Sequence, residues 1–177
     1  MQDAVVIING LPRSGKDSFC KYIEEYAEEK NFNYCYTWST IDVEKEILEE
    51  YVKTYDPDGF WSSTDRAFLC EFKQLLNKYY DFTFDSFKSM VNNVGGVVLI
   101  QSREWEEILD FKEYCQERGI KVVTVFIGRM EQKHYDNSSD YNCDANIQDY
   151  DYYIFNDGTL EELKQKAREF CNNERLF

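Results

Sequence analysis

The sequence predicts an α/β fold in which a parallel five-stranded sheet lies between two layers of helices. Its candidate strands are continuous apolar runs, as in strands buried on both faces. Helical segments of roughly 10 to 15 residues separate these runs, which is the pattern of parallel strands joined by crossover helices. The chain has 177 residues, a usual size for one domain. We therefore expect a single domain over residues 1–177.

The first unit of this sheet is a strand, a glycine-containing turn and a helix. Residues 4–9 (AVVIIN) are rich in β-branched side chains, and Gly10, Pro12 and Gly15 follow directly. Over residues 16–30 the apolar spacing becomes helical. A strand, a turn and a helix in this order begin a βαβ unit.

The middle of the chain predicts a second strand at 34–38 and then a helical insertion at about residues 41–94. Three helices are expected there, at 41–55, after the turn at 56–59, and at 83–91. The second of these helices carries an apolar stripe, which is typical of a helix that buries one face. The stripe consists of Phe68, Leu69, Phe72, Leu75, Leu76 and Tyr79.

The last third of the chain continues the alternation of strands and helices. Strands are expected at 97–100, 120–127 and 152–155, and helices at 104–118 and from residue 160. Between the last two strands, residues 129–150 are polar and acidic with little periodicity, so we expect a long loop or lid. Thr159 and Glu162 have the spacing of a capping box that begins the final helix.

Composition and charge exclude several kinds of partner. There are 20 Lys and Arg against 34 Asp and Glu, a formal charge of −14, which argues against nucleic acid and anionic membranes. The sequence lacks a membrane-spanning run and a secretion signal, so we expect a cytoplasmic protein. The six cysteines are widely spaced and His134 is the single histidine, which argues against structural zinc. Monomer and homodimer both stay open.

The clearest functional motif is G-x-x-x-x-G-K at residues 10–16, with Asp17 where the strict pattern has Ser or Thr. It follows the first strand and opens a helix, so backbone N–H groups can converge on phosphate oxygens while Lys16 reaches the outer phosphates. We therefore predict a nucleotide-phosphate site. The residues assigned to it are Gly10, Ser14, Gly15, Lys16, Asp17 and Ser18.

Asp17 is unusual beside a triphosphate, because its carboxylate is repelled unless a cation lies between them. Mg²⁺ is such a cation and prefers oxygen ligands. We predict that Asp17 binds magnesium, directly or through a water, with Ser18 as the alternative ligand. The other interpretation is that Asp17 is a first-turn acid that favours the helix dipole.

Residues 7–19 (IINGLPRSGKDSF) resemble the P-loop kinases typified by animal phosphomevalonate kinase and phage deoxynucleoside monophosphate kinase. Four further segments agree with these kinases in the same order along the chain. They are STID and KEI within 39–47, DRxFL and FKxL within 65–75, IQSRE at 100–104, and DYDYYIxNDGTL at 149–160. The resemblance implies a P-loop NTPase fold of the nucleoside monophosphate kinase type. It also implies transfer of the γ-phosphoryl of ATP, with Mg²⁺, to a small phosphorylated acceptor bound under the helical insertion.

Four arginines lie where the carboxyl edge of the sheet is expected, which is where ligands bind in this architecture. Phosphoryl transfer needs positive charge on the phosphate oxygens. We assign Arg66 and Arg103 to the acceptor's phosphate, and Arg13 and Arg129 to the phosphoryl group being transferred. For Arg66 and Arg103 the alternative is an ion pair at the start of a helix.

Asp42 follows the second strand and is a candidate to orient magnesium, a water or the acceptor. Lys45, its neighbour, is a candidate to bind the acceptor. A helix cap would look identical in sequence. After the last strand, the resemblance places the adenine near Asn156 and Gly158, although a βα turn needs such residues in any case.

Two departures from the kinase pattern favour an alternative function. Gln101 stands where the resemblance implies an acid that holds the magnesium shell, and the segment 129–150 is acidic with few basic residues. The alternative is a nucleotide-binding regulatory protein with a degenerate kinase site. A GTPase is a weaker third possibility, because the chain has no N-K-x-D motif.

Overall fold

The computed structural model describes residues 3–55, 66–93, 95–130 and 146–177. A five-stranded sheet runs through it in the order β2-β3-β1-β4-β5, with every neighbouring pair parallel. The strands are β1 (Ala4–Asn9), β2 (Cys35–Ser39), β3 (Val97–Gln101), β4 (Lys121–Gly128) and β5 (Tyr152–Phe155). The predicted fold class is confirmed, and every strand end agrees with the prediction to within one residue.

Helices in the described ranges are α1 (Lys16–Glu29), α2 (Asp42–Tyr55), α3 (Arg66–Tyr80), α4 (Phe82–Asn93), α5 (Trp105–Glu117) and α6 (Leu160–Glu174). Between β2 and β3 lie α2, α3 and α4, as predicted for the insertion. The turn at 56–59 and residues 131–145 of the expected lid lie outside the described residues, and a 3₁₀ turn at Ile147–Asp149 ends that segment. No described helix has the length and apolarity needed to cross a membrane.

Side chains of β1 alternate between two hydrophobic cores, one on each face of the sheet. Val6 and Ile8 belong to the core formed with α1 and α6. Val5 and Ile7 belong to the core formed with α4 and α5. Because both faces are covered, a continuous apolar run is what this central strand requires.

Helix α3 does not bury the whole apolar stripe that the sequence predicts for its inward face. Leu69 is buried, but Phe68, Leu75 and Tyr79 are 54%, 53% and 65% exposed. The face that is turned inward lines a cleft and is largely polar, and it includes Lys73. Apolar periodicity locates a helix but does not tell whether its partner is a core or a solvent-filled cleft.

Helix α6 begins as predicted. The Thr159 hydroxyl accepts a hydrogen bond from the Glu162 backbone N–H at 3.2 Å, and the Thr159 N–H donates to the Glu162 carboxylate at 2.7 Å. This is a complete capping box. It fixes the turn after β5, and that turn borders the phosphate loop described next.

Candidate functional site

Two glycines shape the loop between β1 and α1. Gly10 has φ +148°, and a Cβ there would overlap the carbonyl oxygen of Ile127. Gly15 has φ +100°, and a Cβ there would overlap the side-chain amide of Asn156. Both positions need glycine because of their backbone angle and because neighbouring groups approach closely. The loop therefore packs directly against the ends of β4 and β5.

Lys16 lies across the loop to which it belongs. Its Nζ donates to the carbonyl oxygens of Gly10 at 2.5 Å and Leu11 at 3.1 Å. The Ser14 hydroxyl is buried beside it and has no hydrogen-bond partner in the described part of the chain. A buried hydroxyl that lacks a partner, glycines without room for a Cβ, and an ammonium on the same turn all suit a bound phosphate.

Side-chain amides hold the loop from both ends. The side-chain oxygen Oδ1 of Asn9 accepts a hydrogen bond from the Gly10 N–H at 2.6 Å, and the side-chain Nδ2 of Asn9 donates to the Tyr150 hydroxyl at 2.6 Å. The Asn156 amide donates to the carbonyl of Ser14 at 2.8 Å. Sequence analysis missed Asn9 and Tyr150; the signal for Asn9 is a polar residue at the end of a buried apolar strand.

The two residues predicted to lie at the adenine have local structural roles. Asn156 holds the loop as described, although it also lines a small cavity beside it. At Gly158, a Cβ would overlap the carboxylate of Glu162 in the capping box. Contact of either residue with adenine stays a prediction.

Two cavities meet at the loop. The larger, named the cleft here, has a volume of about 1400 Å³ and lies between the loop, the ends of β2 and β3, and helices α3 to α5. The smaller, named the small cavity, has a volume of about 270 Å³ and reaches Asn156. Arg13, Lys16 and Asp17 line both cavities. Ligands in the two cavities would therefore meet at these three side chains.

The structure brings several of the predicted basic residues to these cavities. Arg103 and Lys45 line the cleft, and Arg129 lines the small cavity. Arg13 lines both and has a left-handed backbone, with φ 64°. Arg66 begins α3, but its side chain lies outside what the structure describes.

Asp42 is the first residue of α2, and its side chain bonds to the turn that precedes the helix. Its carboxylate accepts the Ser39 N–H at 2.8 Å and forms an ion pair with Lys45 at 3.2 Å. It is thus engaged within the β2–α2 turn. Lys45 lines the cleft, and a catalytic role for Asp42 stays a prediction.

The predicted magnesium ligands lie together on the first turn of α1. Asp17 is exposed to both cavities, and Ser18 lines the small cavity. Among the described residues no cluster of three or more His, Cys, Asp or Glu could hold a metal ion. The Asp17 carboxylate and the Ser18 hydroxyl beside the phosphate loop are oxygen ligands of the kind with which Mg²⁺ binds together with phosphates. The Gln101 amide donates to the thiol of Cys20 at 3.5 Å.

One wall of the cleft holds a polar network that sequence analysis did not find. The Lys73 ammonium contacts both carboxylate oxygens of Glu107, at 2.7 and 2.8 Å. The same carboxylate accepts hydrogen bonds from Ser102 at 3.0 Å and Asn77 at 3.3 Å. The network joins α3 to α5 and the end of β3, so it sets the position of the insertion helix at the cleft.

Two carboxyl groups, the buried Glu44 and the largely buried Glu107, interact electrostatically with the ammonium of Lys73. Burial raises the pKa of Glu107, and the nearby ammonium opposes this shift. Burial also raises the pKa of Glu44, which is 1% exposed and has one carboxyl oxygen without a hydrogen-bond partner in the described chain. Both groups therefore bind a proton more tightly in the folded state than in the unfolded state.

A change of Glu44 to glutamine should stabilise the protein increasingly as the pH rises. The folded pKa of Glu44 lies above its ordinary value of 4.5, so the native protein loses stability as the pH rises from that value through the raised pKa. Glutamine removes this loss. We expect the Tm difference between Glu44→Gln and the parent to grow from pH 4 to pH 8. Glu46→Gln, at an exposed position of the same helix, is the control; a difference that shrinks with pH would contradict the assignment.

Comparisons with known proteins bear on the fold. No family model matches the sequence, and no curated protein gives a significant match. Among solved structures, the Deinococcus radiodurans tunicamycin resistance protein is 12% identical with a TM-score of 0.57, covering 99% of this chain and 98% of that chain. Mycobacterium tuberculosis APS kinase CysC, solved with AMPPNP and APS, is 16% identical with a TM-score of 0.54, covering 97% and 98%.

Shikimate kinase from Aquifex aeolicus is also similar, with 14% identity, a TM-score of 0.52, and coverage of 97% of this chain and 98% of that chain. At such identities the similarity establishes the fold alone. The predicted three-layer α/β/α fold of the P-loop NTPase type is confirmed. The specific resemblance to phosphomevalonate kinase and deoxynucleoside monophosphate kinase is not shown by these matches.

Proposed function

We propose that the protein is an ATP-dependent phosphotransferase that moves the γ-phosphoryl of ATP onto a small phosphorylated acceptor, such as a nucleoside or deoxynucleoside monophosphate. One observation carries this proposal: a phosphate-type loop with Lys16 stands at the junction of two cavities, so that two ligands can meet there. The CysC structure with AMPPNP and APS supports it, because that protein of the same fold holds a nucleotide analogue and a small acceptor together.

The loop would bind the phosphates of ATP. Backbone N–H groups around Ser14 and the N-terminus of α1 supply donors, and the Ser14 hydroxyl gains a partner. Lys16 would leave its carbonyl contacts for the outer phosphate oxygens. Asp17 or Ser18 would hold Mg²⁺, which when bound neutralises charge on those oxygens.

Transfer requires little from the protein beyond position and charge. An acceptor oxygen forms a bond to the γ-phosphorus, the bond from that phosphorus to the bridging oxygen of ADP breaks, and the acceptor loses its proton if it carries one. Lys16, Arg13 and Arg129 would stabilise the charge on the transferring group. Arg103, Lys45 and Arg66 would bind the phosphate of the acceptor.

A nucleotide-binding regulatory protein is the second candidate. Gln101 stands where the resemblance to kinases implies an acid, and its side-chain amide donates to the thiol of Cys20. Incubation with ATP, Mg²⁺ and a panel of nucleoside, deoxynucleoside and non-nucleotide monophosphates separates the two. Acceptor-dependent ADP formation supports the kinase. ATP binding without response to any acceptor supports the regulatory protein.

Arg103→Ala should weaken use of the acceptor found in this panel. Loss of a charged hydrogen-bond donor to a phosphate costs about 1.5–3 kcal/mol, so the KM for the acceptor should rise by about ten- to a hundredfold. The KM for ATP should stay within about threefold. Arg118→Ala is the control, because Arg118 lies at the other end of α5 against the ring of Tyr114. A loss of ATP affinity alone would show that Arg103 binds the nucleotide.

A further inference from the structure

The cleft has a chemically distinct end, formed by helices α3, α4 and α5 and named the helical end. Its polar lining residues include Lys73, Asn77, Asp81, Thr83, Glu107 and Asp110. Three of them are connected, because the Asn77 side chain donates to Glu107 at 3.3 Å and accepts the backbone N–H of Thr83 at 2.9 Å. Phe84 and Phe111 add aromatic surface to the same end, with ring centroids 6.3 Å apart.

Among the described side chains of the helical end, positive charge is already paired within the protein. Of the described side chains of α3, α4 and α5 that line the cleft, Lys73 is the one cation. An ammonium has three N–H donors. Those of Lys73 are matched by the two oxygens of Glu107, at 2.7 and 2.8 Å, and by the Thr40 hydroxyl at 3.1 Å. No donor of this lysine is left for an anionic ligand.

Hydrogen-bond acceptors, in contrast, are available there. Asp81 and Asp110 place exposed carboxylates at this end. Thr83 is 3% exposed, and its hydroxyl has no hydrogen-bond partner in the described part of the chain. An unpartnered buried hydroxyl costs free energy in the absence of a ligand. This hydroxyl is the observation, independent of the carboxylates, that indicates a ligand.

We infer that the helical end binds an uncharged or cationic part of the acceptor that donates hydrogen bonds, through hydroxyl or amino groups, and that it rejects a second anionic group. The inference rests on the proposed function and specifies its acceptor. The phosphate of the acceptor would lie at Arg103 and Lys45, and its donor-bearing end would lie between Thr83, Asp81 and Asp110. Like charges brought together at such a surface oppose binding.

Two matched pairs of monophosphates test the preference by calorimetry in the presence of Mg²⁺ and ADP. Cytidine 5′-monophosphate, with an amino group, is compared with orotidine 5′-monophosphate, with a carboxylate. Glycerol 3-phosphate, with hydroxyls, is compared with 3-phosphoglycerate. In at least one pair the donor-bearing member should bind about tenfold more tightly or better, and the pair that responds tells amine from hydroxyl. The inference is overturned if, in both pairs, the carboxylate-bearing member binds as tightly as its donor-bearing partner or more tightly. It is also overturned if neither donor-bearing probe binds.

Thr83→Val tests the hydroxyl itself. This change should leave the Tm unchanged or raise it, because no protein hydrogen bond is lost. It should also weaken the affinity for the preferred probe by about tenfold. Thr124→Val is the matched control, since the buried Thr124 hydroxyl donates to Asp151 at 2.7 Å, and this change should lower the Tm. A fall in Tm for Thr83→Val with unchanged probe affinity would show a structural role only. ATP binding is measured alongside; its absence would contradict the proposed function, whereas a reversed probe preference with ATP binding intact contradicts only this inference.

Discussion

Replacing Lys16 by alanine should abolish phosphoryl transfer while the protein stays folded. Lys16 is 8% exposed, and its ammonium donates to the carbonyls of Gly10 and Leu11, so it is positioned to turn toward phosphate oxygens as they enter. Removal of one such charge-stabilising group lowers kcat by about 10²–10³-fold or more. ADP formation with ATP, Mg²⁺ and the acceptor measures the loss.

Lys21→Ala is the matched control for this change, because Lys21 lies on the same helix and its side chain is 71% exposed. Its kcat should equal that of the parent. Lys16→Met keeps the volume of the buried side chain and guards against a loss caused by misfolding, which circular dichroism would detect. A folded Lys16→Met variant with near-parental kcat would contradict the role assigned to Lys16.

Lys73→Met should destabilise the fold by about 3–5 kcal/mol, because it leaves the buried Glu107 carboxylate without its counter-charge. Glu44, which also feels this ammonium, adds to the effect. Burial raises the pKa of both carboxyl groups. The destabilisation should therefore grow as the pH rises above the ordinary pKa of a glutamate side chain. Urea unfolding at two pH values measures the free energy of unfolding.

A double variant identifies the cause. Lys73→Met with Glu107→Gln removes both charges and should recover most of the lost stability. Lys88→Met, which breaks the exposed ion pair with Asp85, should leave stability unchanged. Equal destabilisation in the single and double variants would mean that Lys73 acts through packing of its side chain and not through its charge.

The sheet and the phosphate loop could be predicted because their determinants are local in sequence. Continuous apolar runs mark strands that are buried on both faces, and β1 shows why, with Val5 and Val6 in opposite cores. Gly10 and Gly15 stand where backbone angles and close neighbours require glycine. Lys16 follows them at fixed spacing, so the loop needs no long-range information.

The residues that were missed are joined across long sequence separations. Asn9 and Tyr150 are 141 positions apart, and Lys73 and Glu107 are 34 apart. A lysine in a helix is typical of a solvated face, and only the tertiary structure places Lys73 against a buried acid. The exposure of Phe68 has the same origin, because the inward face of α3 meets a cleft and not a core.

The central claim is that the loop after β1 binds the phosphate tail of ATP, and the backbone amide signals of residues 10–18 test it most directly. In a ¹⁵N–¹H NMR titration with ATP and Mg²⁺, the amides of Ser14, Gly15, Lys16 and Asp17 should shift strongly and saturate, whereas adenosine, which lacks phosphates, should leave them in place. Loop amides that do not move at saturating ATP, or that move equally with adenosine, would contradict the account.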